Sequence, residues 1–316
     1  MRVLFWGTPE FAAPPLRALL GEGFDVVGVV TQPDRPQGRS RSALVPSPIK
    51  QIALEESLAV FQPEKPREPE FVDAIRACEA DISVVVAYGH ILPKDVIDLP
   101  RLGTLNIHAS LLPAWRGAAP IQASIRAGDD ETGVTIMRMV PKLDAGPILL
   151  QVPTPIVHDE TYGELQLRLS ELGALALIEA LSLIDIGQMV EREQDESLAT
   201  FAPKIEREHA RIDWTQSAAE VARSIRAYDP KPGAWTTLAS SEVKLFGARG
   251  LTADRPTGAE TADVGTIIAI DDAGAIIACG DGVVRITHVQ PAGKRRLTMR
   301  ELSRGRGISA GNRFDA

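Results

Sequence analysis

The sequence predicts an α/β fold in which a Rossmann-like, mostly parallel sheet is followed by a small C-terminal β-barrel domain. Apolar strand-like runs alternate with helical patterns over the first 185 residues, a charged segment follows, and short alternating runs fill the remainder. The chain of 316 residues also exceeds the usual size of one domain. We therefore expect domains at residues 1–185 and 207–316, joined by a linker at 186–206.

The first elements form a βαβ opening. Val3 to Trp6 has the pattern of a buried strand, an apolar helical pattern runs through Leu19 and Leu20, and DVVGVVT follows as a second strand. The GxGxxG fingerprint is absent, which disfavours NAD. A long polar loop at residues 31–47 comes next. Such loops are often functional, although a mobile surface connection is the alternative.

The middle of the N-terminal domain predicts the centre of the sheet. DISVVVAYG, which begins at Asp81, is a near-continuous β-branched run typical of a buried parallel strand. The run LGTLNIH ends with Asn106 and His108, which share one face if the run is a strand. Pro113 and Gly117 then end that strand, and GAAPIQASIRAG has the spacing of a short helix.

Later patterns complete both domains. We expect strands near 134–139 and 148–152, a leucine-rich helix over 162–184 and a second helix over 218–228. Five short alternating runs then follow, separated by Gly, Asp and Pro: WTTL, VKLFGA, GTIIAI, AIIACG and VVRITHV. They predict a small barrel, and an OB-like barrel is a common platform for nucleic acid.

Composition narrows the class of protein. Cys78 and Cys279 lie far apart and outside any CxxC pattern, which disfavours disulfides and structural zinc and fits a reducing cytoplasm. The histidines show no HExxH spacing, so we expect no metal. No run approaches the roughly 20 apolar residues of a membrane span, and the N-terminal apolar run is short for a signal peptide. We expect a cytoplasmic protein without membrane contact, and a monomer because no exposed apolar helix stripe indicates a partner.

The charge is distributed unevenly. The net charge is −8, but the segment from Arg285 to Arg313 holds eight basic residues and one acid, which gives it +7 and leaves −15 elsewhere. An acidic body with a polyanion-binding face would show this asymmetry. A frayed, solvated tail would show it too, and both interpretations stay open at this point.

Asn106, His108 and Asp144 are candidates for one acyl-transfer centre. An Asn106 amide can donate to a developing oxyanion, and His108 can donate to the same oxygen or shuttle a proton near neutral pH. Asp144, in KLDAG, is expected on a loop at a strand end, where it could set the tautomer of the imidazole and raise its pKa. Spacing alone favours a plainer interpretation: a turn cap, a core histidine and an Asx turn.

The stretch NIHASLLPAWRGAAPIQ resembles the signature of the formyltransferases that use 10-formyltetrahydrofolate. FWGTPEFA, TQPDRPQGR, VPSPIK and VVVAYGHILP upstream, and ARIDW, PGAW and QPAGK downstream, extend the resemblance over nearly the whole chain. The resemblance implies that Asn106, His108 and Asp144 are catalytic and that the barrel is OB-like. Ala114, Pro147 and the Arg39 to Arg41 stretch depart from the family pattern, which affects contacts rather than the reaction.

The resemblance also implies ligands. Backbone groups after the central strand would cradle the pterin and the SLLP residues would contact folate, so the expected contacts are Val86, Tyr88, Gly89, Ile91, Leu92, Ser110, Leu111, Leu112 and Pro113. The 31–47 loop would enter the tRNA acceptor stem, so the expected tRNA contacts are Arg35, Arg39, Arg41, Lys294, Arg295 and Arg296. The implied reaction transfers the formyl group of 10-formyltetrahydrofolate to the α-amine of methionyl initiator tRNA for translation initiation.

Two other functions stay open. An enzyme with this fold and donor could formylate an amino sugar nucleotide, another small amine or water, although a small acceptor does not need the basic loop and tail. A non-catalytic RNA-binding protein could retain the barrel, but the presence of Asn106, His108 and Asp144 together disfavours it.

Overall fold

The computed structural model describes residues 1–37, 43–251, 261–305 and 307–315 and divides the chain into two compact units. The first unit comprises residues 1–120, 132–154 and 166–202. The second unit comprises residues 121–131, 155–165 and 203–316. Most of the segment 186–206, which the sequence predicts as a linker, therefore belongs to the first unit. Arg39 and Arg41 lie outside the described residues.

The N-terminal part of the chain contains eleven strands among its described residues. They are β1 (Arg2–Gly7), β2 (Asp25–Val30), β3 (Arg35–Gln37), β4 (Ala43–Val45), β5 (Val60–Phe61), β6 (Ile82–Val86), β7 (Thr104–His108), β8 (Arg116–Gly117), β9 (Glu131–Arg138), β10 (Ile148–Pro155) and β11 (Phe201–Ala202). The helices are α1 (Ala13–Gly21), α2 (Pro48–Glu55), α3 (Pro69–Ala77), α4 (Lys94–Ile97), α5 (Pro120–Ala127) and α6 (Tyr162–Asp185).

The main sheet has seven strands in the order β10-β9-β7-β6-β1-β2-β5. The pairs formed by β1, β2, β5, β6 and β7 are parallel, and β9 joins β7 antiparallel. The Rossmann-like, mostly parallel sheet is thus confirmed. All five residues of β6 are buried, as the near-continuous β-branched run predicts for a central strand.

Helix α6 lies against β7 at Gly173. A Cβ at this glycine would lie 2.9 Å from the Ile107 side chain, so the helix can approach the strand only without a side chain there. Ile107 points away from the face that carries Asn106 and His108, because neighbouring strand residues alternate. The helix therefore covers the far face of β7 and leaves the near face for other contacts.

The polar loop predicted at residues 31–47 contains a short antiparallel pair, β3 with β4. The prediction of an irregular loop is wrong for these two arms. Each arm is only three residues long, too short for the alternation by which a strand is detected in sequence.

The second unit is built on one antiparallel sheet. Its strands are β12 (Ala234–Leu238), β13 (Ser241–Leu251), β14 (Ile267–Asp271), β15 (Gly274–Ala278), β16 (Val283–Pro291) and β17 (Leu297–Thr298), with helices α7 (Ala218–Ala227) and α8 (Met299–Arg304). The order is β12-β13-β16-β15-β14, with β17 beside β16. The five strands and the helix predicted from sequence are confirmed.

The end of the chain closes this sheet. Phe314 bridges Leu238 at the end of β12, and Arg313 bridges Thr266 just before β14. These two bridges join the edge strands of the sheet, which gives the predicted barrel. Met299, Ile308 and Phe314 are all buried, so the described part of the basic segment is folded and is not a frayed tail.

Candidate active site

Asn106 and His108 lie on the same face of β7, as predicted. In the register of the sheet, Asn106 lies between Val85 of β6 and Met137 of β9. Its side chain is half-buried and makes no hydrogen bond to the described part of the chain. An amide in this state is free to donate to a bound molecule.

His108 is buried, with 5% of its surface exposed. Its Nε2 lies 3.0 Å from the Trp115 carbonyl oxygen. A carbonyl only accepts, so this contact requires the proton to be on Nε2 and leaves Nδ1 as the nitrogen that can gain one. Nδ1 lies 3.7 Å from Oδ2 of Asp144, beyond hydrogen-bonding distance but close enough for electrostatic attraction.

The pKa of His108 is lowered from the ordinary value of 6.5. Burial is the largest cause, because it penalises the charged ring; Asp144 and the Trp115 carbonyl act in the opposite direction. Asp144 raises this pKa, as the sequence predicts, but burial outweighs its contribution and the net shift is downward. His108 is therefore neutral at pH 7.

Burial of a neutral imidazole makes stability depend on pH. Because the folded pKa lies below 6.5, the unfolded chain binds more protons, and stability is lost as pH falls from the unfolded pKa towards the folded one. We expect the urea midpoint of the wild type to drop more between about pH 7.5 and about pH 5.5 than that of His108→Gln, which does not titrate there. Equal drops in the two proteins would contradict this account of the ring.

Asp144 lies on the loop between β9 and β10. Its Oδ2 accepts a hydrogen bond of 2.8 Å from the Gly117 backbone N–H, and its φ of +47° lies in the left-handed region. Two residues on, a Cβ at Gly146 would lie 1.8 Å from the Arg138 carbonyl oxygen. The loop can therefore adopt this position only with glycine at 146. In this position the loop places the Asp144 carboxylate beside the His108 ring.

The predicted folate contacts differ in exposure. Val86, Tyr88 and Leu92 are buried, whereas Gly89 and Ile91 are exposed, Ile91 by 87%. The Tyr88 hydroxyl is buried and has no hydrogen-bond partner in the described part of the chain.

In the turn after β7, the Ser110 hydroxyl donates to the Ala114 carbonyl at 2.5 Å, and Leu112 packs in a small core cluster. Leu111 and Pro113 are half-buried. Among the four residues of this turn that are predicted to contact folate, Leu111 and Pro113 are therefore the two whose side chains a ligand can reach.

Some of the residues that the sequence predicts as tRNA contacts already pair with other side chains of the protein. Arg35 donates to the Gln32 side chain at 3.0 Å, and Arg295 lies 3.4 Å from Glu301. Arg296 donates to both carboxylate oxygens of the buried Asp229, at 3.0 and 3.1 Å. Its charge is neutralised there, which leaves Lys294 as the more available cation of that group.

Sequence reasoning missed the residues that surround Asp144 from the 191–202 segment. Gln194 donates to the carbonyl oxygens of Asp144 and Gly146 at 2.9 and 2.7 Å. The buried Arg116 donates to Gln194 at 2.7 Å and to Glu196 at 3.1 Å. These contacts join residues 78 and 80 positions apart, which no local pattern could have indicated.

A cavity of about 520 Å³ in the second unit contains none of the three predicted catalytic residues. Its lining includes Asp159, which pairs with Arg226, and Arg223. Among the described residues, no group of three or more His, Cys, Asp or Glu side chains could hold a metal ion. Within the same ranges, no helix is long and apolar enough to cross a membrane.

A mostly parallel sheet that places an amide, a buried imidazole and a carboxylate together has the features of an acyl-transfer enzyme. The family described as Formyl transferase matches residues 1–181, and the Formyl transferase, C-terminal domain, matches residues 204–307. The chain belongs to the formyl transferase family of enzymes. This confirms the resemblance predicted from its motifs.

Two similar proteins match the chain over nearly its full length. The chain is 48% identical over 316 residues to the methionyl-tRNA formyltransferase of Thiobacillus denitrificans, covering 100% of both chains. It is 45% identical over 305 residues to that of Marinobacter nauticus, covering 96% of both.

Solved structures share the fold. HypX from Aquifex aeolicus in complex with tetrahydrofolic acid is 22% identical, with a TM-score of 0.65 over 96% of this chain and 47% of that one. WlaRD, a sugar 3N-formyl transferase solved with dTDP and 5-N-formyl-THF, is 18% identical, with a TM-score of 0.68 over 93% and 99%. At these identities the likeness is one of fold alone.

Proposed function

We propose that this protein transfers the formyl group of 10-formyltetrahydrofolate to the α-amine of methionine on initiator tRNA. The observation that carries the proposal is the full-length similarity to methionyl-tRNA formyltransferases, at 45–48% identity. The grouping of Asn106, His108 and Asp144 on one side of the sheet supports the same reaction, because acyl transfer needs an oxyanion donor and a proton acceptor.

The neutral amine attacks the formyl carbon, a C–N bond forms, and the carbonyl oxygen becomes an oxyanion. The Asn106 amide, which has no other partner among the described residues, donates to that oxygen. The attacking nitrogen must lose a proton, and neutral His108 can accept it at Nδ1. Asp144, 3.7 Å away, stabilises the resulting imidazolium. The oxyanion then re-forms the carbonyl as the bond to N10 of the folate breaks. That nitrogen takes up the proton that His108 accepted, which leaves the imidazole neutral again.

The folate is proposed to lie beside the ends of β6 and β7. Exposed backbone at Gly89 and the Ile91 side chain are available after β6. Half-buried Leu111 and Pro113 are available after β7. The carboxyl ends of parallel strands are the usual ligand site of such sheets, which supports this placement.

The tRNA is proposed to contact the basic loop and the basic part of the barrel domain. The start of the loop is held in place, since Asp34 accepts from Lys50 at 2.6 Å and from Gln62 at 2.8 Å. Lys50 and Gln62 also keep the pKa of the Asp34 carboxyl below its usual value. A fixed base of this kind would present Arg35 in a constant direction. A monomeric state and a cytoplasmic location stay predictions of the sequence.

Arg41→Ala is expected to raise the KM for charged tRNA and to weaken its dependence on salt, because each lost phosphate contact reduces counterion release by about one ion. Steady-state kinetics at several salt concentrations would measure both effects. The KM for 10-formyltetrahydrofolate should stay unchanged. A variant that lost folate affinity and kept tRNA affinity would contradict the assignment of the loop.

The first experiment compares four acceptors with 10-formyltetrahydrofolate: charged initiator tRNA, charged elongator tRNA, free methionine and water. Formylation confined to the initiator tRNA is the expected result. Formylation of small amines, or release of formate, would favour the small-acceptor alternative. Salt-sensitive tRNA binding without any transfer would favour a non-catalytic RNA-binding protein.

A further inference from the structure

Both the oxygen and the nitrogen of the Gln194 side-chain amide form hydrogen bonds within the protein. Its Oε1 accepts from Nε and Nη2 of Arg116 at 3.1 and 2.7 Å, and its Nε2 donates to the carbonyl oxygens of Asp144 and Gly146. Arginine only donates and carbonyls only accept, so one orientation of the amide satisfies all four contacts. Gln194 therefore links a fixed cation on one side to the Asp144 loop on the other.

Arg116 is itself held rigidly. Its side chain is fully buried, and it donates through Nη1 and Nη2 to the two Glu196 carboxylate oxygens at 3.2 and 3.1 Å. A bidentate pair of this kind sets the plane of the guanidinium. Arg116 and Lys142 together lower the pKa of Glu196 to about 2, so the carboxylate stays ionised at neutral pH.

The Asp144 loop is thereby held from two directions. The N–H of Gly117, the residue after Arg116, donates to the Asp144 carboxylate. On the other side, the Gln194 amide donates to the main-chain carbonyls of Asp144 and Gly146. Lys142, in the same loop, donates to Glu196 at 2.7 Å. Loss of the Gln194 amide would leave two carbonyls without their donor and free the backbone on which the carboxylate sits.

We propose that Gln194 is a positioning residue that holds the Asp144 carboxylate against the His108 ring, an inference that rests on the proposed function. It does not touch the reacting atoms. The distance of 3.7 Å between Nδ1 and Oδ2 depends on the loop, and a misplacement of about 1 Å near a reacting group can cost about 100-fold in rate.

Gln194→Ala is expected to lower kcat by about 10- to 100-fold, with the KM values for tRNA and folate changed by no more than about twofold. Gln194→Glu keeps the size of the side chain but has no N–H for the carbonyls, so we expect it to be at least as impaired. Glu193→Ala is the matched control, because Glu193 is the exposed neighbour in the same segment. It should behave as the wild type.

A double-mutant cycle separates positioning from general damage to the fold. If Gln194 acts through Asp144, then Gln194→Ala should cost little further kcat in an Asp144→Ala background. Equal losses in both backgrounds would overturn the proposal, as would a Gln194→Ala variant that keeps more than half of the wild-type kcat.

Histidine NMR titration provides a readout that does not depend on turnover. The Asp144 carboxylate raises the pKa of His108, so its displacement in Gln194→Ala should lower that pKa further. The His108→Gln spectrum would assign the resonance. An unchanged titration would refute the positioning role. If the wild type did not formylate charged tRNA, the proposed function would fail, while the titration would still report whether Gln194 holds Asp144.

Discussion

Asn106→Ala is expected to lower kcat for formyl transfer by about 100- to 1000-fold, the usual cost of removing one oxyanion donor. The KM for each substrate should change little, because the contact forms only as charge develops on the formyl oxygen. The Asn106 side chain has no partner among the described residues, so its removal leaves no group unpaired in the protein. Single-turnover kinetics with charged initiator tRNA would measure the chemical step directly.

Asn106→Asp is the informative companion variant. It keeps the shape of the side chain but replaces the amide donor with a carboxylate, which would repel the oxyanion. We expect it to be no better than alanine, which would show that the donor matters rather than the volume. A variant with either substitution that kept more than about a tenth of the wild-type turnover would exclude Asn106 from this role.

The side-by-side placement of Asn106 and His108 could be predicted from sequence because it follows from local geometry. Residues two apart on a strand share a face whatever surrounds them. The apolar run that contains them and the breakers after it were enough to predict the strand and its end. The same reasoning identified β6 as the central strand, since burial on both faces leaves a continuous apolar run.

The environment of His108 could not be predicted in this way. Its lowered pKa reflects burial by elements distant in sequence, and that burial outweighs the attraction of Asp144. The part played by Gln194 was equally hidden, because its segment is charged and was interpreted as a linker. Contacts between Arg116 and Gln194 cross 78 positions, and only the folded chain brings them together.

The basic C-terminal segment is a third case, because its sequence contains a local signal for ordered structure. Thr298 and Glu301 form a reciprocal capping box at the start of α8, which the pattern Thr-x-x-Glu indicates. The basic segment, for which a frayed tail was the other interpretation, contains buried residues such as Ile308 and Phe314. Their burial depends on the barrel and was not visible in the composition of the segment.

Trp214→Ala is expected to lower the free energy of unfolding of the barrel domain by about 3–5 kcal/mol, the usual cost of truncating a buried tryptophan. The Trp214 ring is fully buried and stacks on Phe314, with ring centroids 5.5 Å apart. Its indole N–H also donates to Thr236 of β12 at 3.2 Å. Because Arg313 and Phe314 together bridge the two edges of the sheet, a cavity beside Phe314 should loosen the closure as well as the core. Urea denaturation, with hydrogen exchange in β12 and β14, would measure both effects.

Trp235→Ala is the matched control, since it removes the same side chain from the same domain. Trp235 is half-buried, donates to the Arg207 carbonyl at 3.0 Å and lies under the Arg207 guanidinium, 4.9 Å from the ring centroid. The Arg211 guanidinium also lies 5.7 Å from the ring centroid. Loss of one hydrogen bond and two exposed cation–π contacts should cost only about 1–2 kcal/mol. Equal losses from the two substitutions would mean that closure through Phe314 contributes nothing beyond ordinary burial, and that the basic segment is held by its other contacts.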